Sequence, residues 1–560
     1  MGGPSQSGHD RRARILLSRV TLVLLACYGT IVSTDASGQD SSRKAVQDVI
    51  SSGRIPWARW PDFSRYVDDL RHLYAAHTDS LIWFDGPFLS SGGSAAVAVL
   101  RSAGEHGFEP RDYDVQTLDR VGSQSVRAPL DSGERVRFDL LLSVNLIRFL
   151  DDLKFGRLHP QAFHREESDT DWAAVLKQAL AGDSVARLVA ATAPNLAQYR
   201  KLQRLLDRYR ALGADSTFGP LPSTSPVYPG AEYRDVNQLR RRLAATGDLL
   251  TDTSGGPSGQ YSEIDADAVR RFQHRHALRV DGILDAATFS EINVPFRQRA
   301  RQIELALERL RWLPQIGGRR FVVVNIPAFQ LFAFDSAGGS GVPSLGMRVI
   351  VGQALDTRTP VMLEQLRYLE FRPYWNVPRR ILVGEILPLL QRNVRYLQDN
   401  DMEVVGPRDR VMGDVVSPEI LDQLRLGELR VRQRPGPRNA MGLVKFVFPN
   451  SAAVYLHGTP RSELFSQSRR DLSHGCIRLE DPTALATWVL RDQPLWGRQQ
   501  IVAAQAGRSS TRAWLPHPMP VIIFYTTAVA APDGSAWFFT DIYGHDRRLD
   551  EALRAELASP

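Results

Sequence analysis

The sequence predicts a multidomain α+β protein: an α-helical scaffold, a small three-helix unit, and a β-rich domain interrupted by a helical capping insertion. Three observations carry this reading. Apolar residues recur at three- and four-residue spacing from about 41 to 228, the period of amphipathic helices. Ser216 to Gly230, STFGPLPSTSPVYPG, is rich in Pro, Ser and Gly and marks a boundary. After Gly317-Gly318 the pattern changes to β-branched and aromatic runs. At 560 residues the chain exceeds one ordinary domain, and three or four are expected. A hydrophobic fraction of 43% and a charged fraction of 23% describe a foldable chain. The net charge of +7 comes almost wholly from arginine, which reflects either codon composition or attraction to an anionic polymer or membrane surface. No Lys/Arg tract alternates with exposed aromatics and no P-loop is present, so no nucleic-acid or nucleotide partner is expected.

Residues 1–36 read as a signal peptide or N-terminal membrane anchor. Arg11, Arg12 and Arg14 precede an apolar run from Val20 to Val32, small polar residues follow, and Thr34-Asp35-Ala36 is a candidate cleavage site. Leu24-Leu25-Ala26-Cys27 has the form of a lipoprotein box, and Ile15 to Ser33 approaches the ~20 residues of an uncleaved anchor. All three readings predict export, here to the periplasm, free or tethered to the inner membrane.

The helical scaffold is expected over 41–228. Phe138 to Leu150 is too apolar for a surface helix and reads as a core helix, whereas Asn195 to Leu212 is amphipathic and expected to stop at Gly213. The histidines at 72, 77, 106, 159 and 164 have no catalytic spacing and read as surface or packing residues. A compact unit follows over 229–295: helices at Val236–Leu243, Asp265–His276 and Ala286–Asn293, with a tight turn at Val280-Asp281-Gly282 where Gly282 supplies positive φ. Gln298 to Leu313 is a further helix, and 296–316 is expected to rejoin the scaffold. The β-rich domain spans 317–506, from the runs Arg320–Ile326, Gln330–Phe334 and Met347–Gly352. Its insertion at about 379–430 carries helices at Arg380–Leu390 and Pro418–Gly427. Residues 507–560 read as a C-terminal extension.

The compact unit carries a resemblance. Asp267-Ala268-Val269-Arg270-Arg271-Phe272-Gln273, then Leu278, Val280-Asp281-Gly282 and Thr288, resembles the three-helix peptidoglycan-binding domain of bacterial wall enzymes. That resemblance implies glycan or stem-peptide contact, against the alternative of a helical unit that only packs.

Chemistry concentrates between Val454 and Leu479. An exported protein lives where thiols pair, yet beyond residue 27 this one keeps a single cysteine, Cys476. Either it is an inert, buried small hydrophobe or it is a nucleophile. A thiol attacks as its thiolate, which needs a base or a positive field nearby. His457 and His474 are both available, and spacing alone does not choose between them. Glycine beside the cysteine leaves room for a substrate carbonyl and lets the Gly475 and Cys476 amides converge as an oxyanion hole.

His457-Gly458-Thr459 and, fifteen residues on, Ser473-His474-Gly475-Cys476-Ile477-Arg478 resemble the signature of the L,D-transpeptidases with a YkuD-type catalytic domain. The resemblance implies Cys476 as nucleophile, His457 as general base, the Gly458 carbonyl as orienter of the imidazole, and Ser473, His474 and Gly475 around the nucleophile. Arg478 departs from the asparagine many members carry there, and points to a subfamily with Cys-Ile-Arg-Leu. Pro373-Tyr374-Trp375-Asn376-Val377-Pro378, Arg432 to Pro437, Lys445 to Asn450, Phe155-Gly156-Arg157 and Asp541-Ile542-Tyr543-Gly544 extend the likeness to the large exported members. Arg478, Tyr455, Trp375 and Asn376 are the expected substrate contacts, guanidinium suiting carboxylate recognition. The implied reaction is acyl transfer through a Cys476 thioester, forming 3→3 cross-links between stem peptides of peptidoglycan. Water or a protein amine as acceptor, or a non-catalytic wall-binding scaffold, are the rivals. No metal or other cofactor is required, and a carbapenem is expected to acylate Cys476.

Overall fold

The computed structural model describes residues 35–75, 81–158, 170–222, 226–250, 259–314, 316–336 and 341–558. Residues 1–34 of the expected export signal, with the Cys27 box, and the histidines at 77, 159 and 164 lie outside the described residues. No described helix is long and apolar enough to cross a membrane.

Helix α1, Ser132–Phe155, starts at a capping box in which Asp131 and Glu134 exchange side-chain-to-backbone bonds. It is buried nearly all round, as its apolar run requires, and forms the axis of the scaffold core. Of the two described scaffold histidines, His72 is exposed and His106 is buried with its Nδ1 3.1 Å from the Tyr199 hydroxyl. Helix α2, Ala197–Ala214, runs through Gly213 instead of stopping at it. The absent side chain there admits Arg297, whose backbone nitrogen would lie 3.1 Å from a Cβ at 213.

Helices α3 (Val236–Thr246), α4 (Glu263–Arg275) and α5 (Ala286–Ile292) enclose Leu239, Leu243, Val269, Phe272 and Phe289. Gln273 explains the motif around it. Its Oε1 accepts the Asp281 and Gly282 amides at 3.0 and 2.9 Å, and its Nε2 donates to Ile283 O at 3.0 Å and Thr288 Oγ1 at 3.1 Å. One buried amide thus pins the turn on which Gly282 takes φ +75°. Helix α6, Phe296–Arg311, returns to pack along α2 and completes the scaffold core.

The β-rich domain begins with strands β1 (Phe321–Asn325), β2 (Gln330–Phe334), β3 (Leu345–Gly352) and β4 (Met362–Phe371). The insertion follows with β5 (Trp375–Asn376), β6 (Met402–Val405), β7 (Val411–Gly413), helix α7 (Pro418–Leu426) and β8 (Arg430–Gln433). The chain then returns through β9 (Val444–Val447), β10 (Leu456–His457), β11 (Asp471–Ser473), β12 (Ile477–Leu479) and β13 (Thr511–Phe524), and ends in the hairpin β14 (Ala528–Ala530) and β15 (Ala536–Phe538) and helix α8 (His545–Ala558). The main sheet has the order β11-β3-β12-β10-β9-β4-β13-β1-β2, and β2 pairs back onto β3, so eight of its strands close into a ring around an apolar core.

Two expectations need correction. The β domain does not end at 506, because β13 lies between β4 and β1 near the middle of the sheet. Pro516, Pro518 and Pro520 disguise it as loop; a register shift between Trp514 and Met519 accommodates them. The insertion is not purely helical either. It holds a four-stranded sheet, β5-β8-β6-β7, and its own apolar core of Leu382, Ile386, Leu397, Leu424 and Val431. The strands are cryptic because charges alternate along them: Glu403 on β6 pairs with Arg432 on β8 at 2.7 Å and with Arg434 at 2.8 Å.

Candidate active site

Strands β10 and β12 pair in parallel, with His457 opposite Arg478 and Leu456 opposite Ile477. Side chains alternate between faces along a strand, so His457 and Arg478 share a face, and Cys476, two residues before Arg478, joins them. The same register continues sideways. Lys445 on β9 faces His457, Glu370 on β4 faces Lys445, and Arg512 on β13 faces Glu370. A row of ionisable side chains therefore crosses five strands and ends beside the cysteine. Next to it runs an aromatic row in which Tyr368 lies opposite Trp514, ring centroids 4.4 Å apart, with Trp514 58% exposed.

His457 is buried, and its Nδ1 lies 2.5 Å from Gly458 O. Nδ1–H donates to that carbonyl, which leaves Nε2 as the proton acceptor. Burial, reinforced by the charges of Arg478 and Lys445 and opposed by backbone carbonyl contacts at Gly458 and Met441, pushes the imidazole pKa down to about 3. Gly442 makes room for the carbonyl that orients the ring. At φ +65° its Cα abuts Gly458, and a Cβ there would stand 2.5 Å from the Gly458 carbonyl carbon.

Cys476 is half-buried, with Sγ 3.8 Å from Ala453 O. Burial raises the thiol pKa, opposed by a backbone hydrogen bond from Tyr455 and by the charges of Lys445 and Arg478. The thiol and the imidazole are therefore both neutral at rest, with the charges of Lys445 and Arg478 acting on each.

The turn before the cysteine is fixed from several sides. Ser473 Oγ accepts the Gly475 amide at 3.2 Å and donates to Cys476 O at 2.5 Å, while Gly475 takes φ +110°. Thr357 Oγ1 donates to Ser473 O at 2.9 Å and Thr359 Oγ1 to Gly475 O at 2.8 Å. Tyr543, past β15, donates its hydroxyl to Gly352 O at 2.5 Å and accepts the Thr359 amide at 3.2 Å. This geometry corrects the expected oxyanion pair. The Gly475 amide donates to Ser473 Oγ, because the short hydroxyl closes the turn, and so is not free to pair with the Cys476 amide as expected. Ser473 and Gly475 together shape the turn that carries Cys476.

His474 points to the cap. Its Nε2 is 2.7 Å from Glu385 Oε1, in the π-helical turn Leu382–Ile386. The expected substrate contacts divide. Tyr455 and Arg478 are at the site, with Lys445 Nζ 3.8 Å from the Tyr455 ring centroid. Trp375 packs against the cap's apolar core, and Asn376 Oδ1 accepts from Arg430 Nη1 at 3.1 Å. Sequence reasoning gave no role to Lys445, Thr357, Thr359 or Glu385. Lys445 carried a signal, being one of five lysines beside 64 arginines; the two threonines and Glu385 carried none, since only the fold brings them to the turn.

The fold thus sets a cysteine and a carbonyl-oriented histidine at neighbouring strands of a closed β sheet that carries a cap. Family models agree: residues 319–523 match the L,D-transpeptidase catalytic domain of the YkuD type, 232–292 a "Putative peptidoglycan binding domain", and 68–206 a scaffold domain. The chain thus carries an L,D-transpeptidase catalytic domain of the YkuD type, a peptidoglycan-binding domain and a scaffold domain in one polypeptide. A curated protein of Haemophilus influenzae, named "Putative L,D-transpeptidase", is 32% identical over 255 residues, which cover 45% of this chain and about half, 49%, of that relative.

Proposed function

We propose that this protein forms 3→3 cross-links in peptidoglycan, on the outer side of the inner membrane, through a Cys476 thioester. The observation that carries the proposal is the parallel register that sets Cys476 and His457 on one face, with His457 oriented by Gly458 O. Cys476 Sγ attacks the carbonyl between the L-centre of meso-diaminopimelate and the terminal D-alanine of a tetrapeptide stem. His457 Nε2 takes the thiol proton and passes it to the departing amine, so D-alanine leaves and the thioester remains. The oxyanion forms beside the Cys476 amide and the Lys445 and Arg478 charges. The side-chain amine of a second stem's meso-diaminopimelate then attacks the thioester, His457 removes its proton, and the thiol is restored.

The exposed Trp514–Tyr368 shelf and the cap give the long substrate two walls, and the peptidoglycan-binding domain supports retention on the wall. The test is incubation of the purified protein with tetrapeptide-bearing disaccharides, followed by mass spectrometry. A cross-linked dimer absent with Cys476→Ala supports the proposal; trimmed tripeptide alone indicates hydrolysis, and no product from the wild type refutes catalysis on this substrate.

A further inference from the structure

Three arginines are buried together where the peptidoglycan-binding domain meets α6 and the β14–β15 hairpin. Arg242 of α3, Arg275 of α4 and Arg299 of α6 are 3%, 4% and 5% exposed. All three line one cavity of about 10 Å³, with Tyr209, His276, Glu291 and Phe538 among its walls. Two of the guanidiniums have carboxylate partners. Arg275 makes a two-point contact with Asp248 and donates to Ala536 O at 2.8 Å. Arg299 Nη2 lies 2.6 Å from Glu291 Oε1.

Among the described residues Arg242 has no such partner. Its Nε donates to Ile292 O at 2.8 Å, its guanidinium lies 4.8 Å from the Phe296 ring centroid, and its Nη1 is buried with no hydrogen-bond partner among the described residues. Among the described residues three cations thus face two carboxylates. His276 adds no charge: it stacks 3.9 Å from Phe272, its Nδ1 is bonded to Phe272 O, and burial with Arg275 and Arg299 alongside holds it neutral.

A guanidinium does not shed its proton in a protein, so the unpaired charge persists where it is expensive. Water would satisfy the Nη1 hydrogen bond and leave the charge. A small anion answers both. We propose that this cavity binds one monovalent anion of the halide class against Arg242 Nη1, and that the anion fastens the peptidoglycan-binding domain to α6 and the hairpin. A cavity of about 10 Å³ has room for a single monatomic ion and excludes larger ligands.

Thermal unfolding of the purified full chain in sodium chloride or bromide, against sodium gluconate at equal ionic strength, tests this for the wild type and Arg242→Gln. The midpoint is expected to be higher in halide by about 2–4 °C in the wild type and unchanged between salts in the variant. Bromide-soaked crystals of the wild type give a second readout that does not depend on the variant folding: an anomalous peak beside Arg242 Nη1 is expected. Equal wild-type midpoints, or a water at that position without anomalous signal, overturn the proposal.

Discussion

Glu385 and His474 join the cap to the catalytic turn, their Oε1 and Nε2 atoms 2.7 Å apart. This contact ties a π-helical turn of the insertion to the residue two places before Cys476. Both side chains are partly exposed, 51% and 39%, so the pair contributes no more than about 1 kcal/mol. Glu385→Ala is expected to loosen the cap and raise the KM for the donor stem about two- to five-fold with kcat nearly unchanged, measured by steady-state kinetics.

The thiol and the imidazole are neutral at rest, and this sets the pH behaviour of the site. The depressed His457 pKa means the base form is not lost on mild acidification, and the raised Cys476 pKa means the thiol keeps its proton through neutrality. The acylation rate is therefore expected to stay level from about pH 5 to 8, with iodoacetamide labelling of Cys476 slower at neutral pH than that of an ordinary exposed thiol. An acid limb near the ordinary imidazole value of ~6.5 would contradict the buried, neutral His457.

Gly442→Ala should be severe although the substitution is distant in sequence from both catalytic candidates. It combines a strained positive φ with a collision against the Gly458 backbone, neither of which a flexible side chain can relieve. A loss of at least about 2–3 kcal/mol in denaturant unfolding is expected, with acylation slowed in whatever fraction folds.

Tyr543→Phe tests the brace behind the turn. Removing the hydroxyl strands Gly352 O and the Thr359 amide, and costs about 1–3 kcal/mol. Because Thr359 holds Gly475 O, the rate of acylation should fall while donor KM stays near the wild-type value.

The architecture was legible in sequence where one physical signal dominated. The apolar run in α1, the Phe272-Gln273 pair with its Val-Asp-Gly turn, and the β-branched runs of β1 to β3 each report burial or turn geometry directly. Strand β13 was missed because prolines on a strand look like loop, and the cap strands because Glu403, Arg432 and Arg434 look like a solvated helix while pairing with one another. At the site, chemistry and family spacing singled out Cys476 and His457, whose segments the fold pairs in parallel. The occupied Gly475 amide could not be read from sequence, because it depends on which way the Ser473 hydroxyl turns. Nor could the ionisable row from Arg512 to Arg478, which exists only in the register of five strands distant in sequence.

The central claim is that Cys476 attacks and His457 accepts its proton. Its most direct test is to acylate the protein with a carbapenem, follow the rate by intact mass, and locate the adduct by peptide mapping. One adduct on Cys476 is predicted, absent in Cys476→Ala and formed at least about 100-fold more slowly in His457→Ala, the scale of a lost general base. An adduct on another residue, or His457→Ala reacting as fast as the wild type, would contradict it.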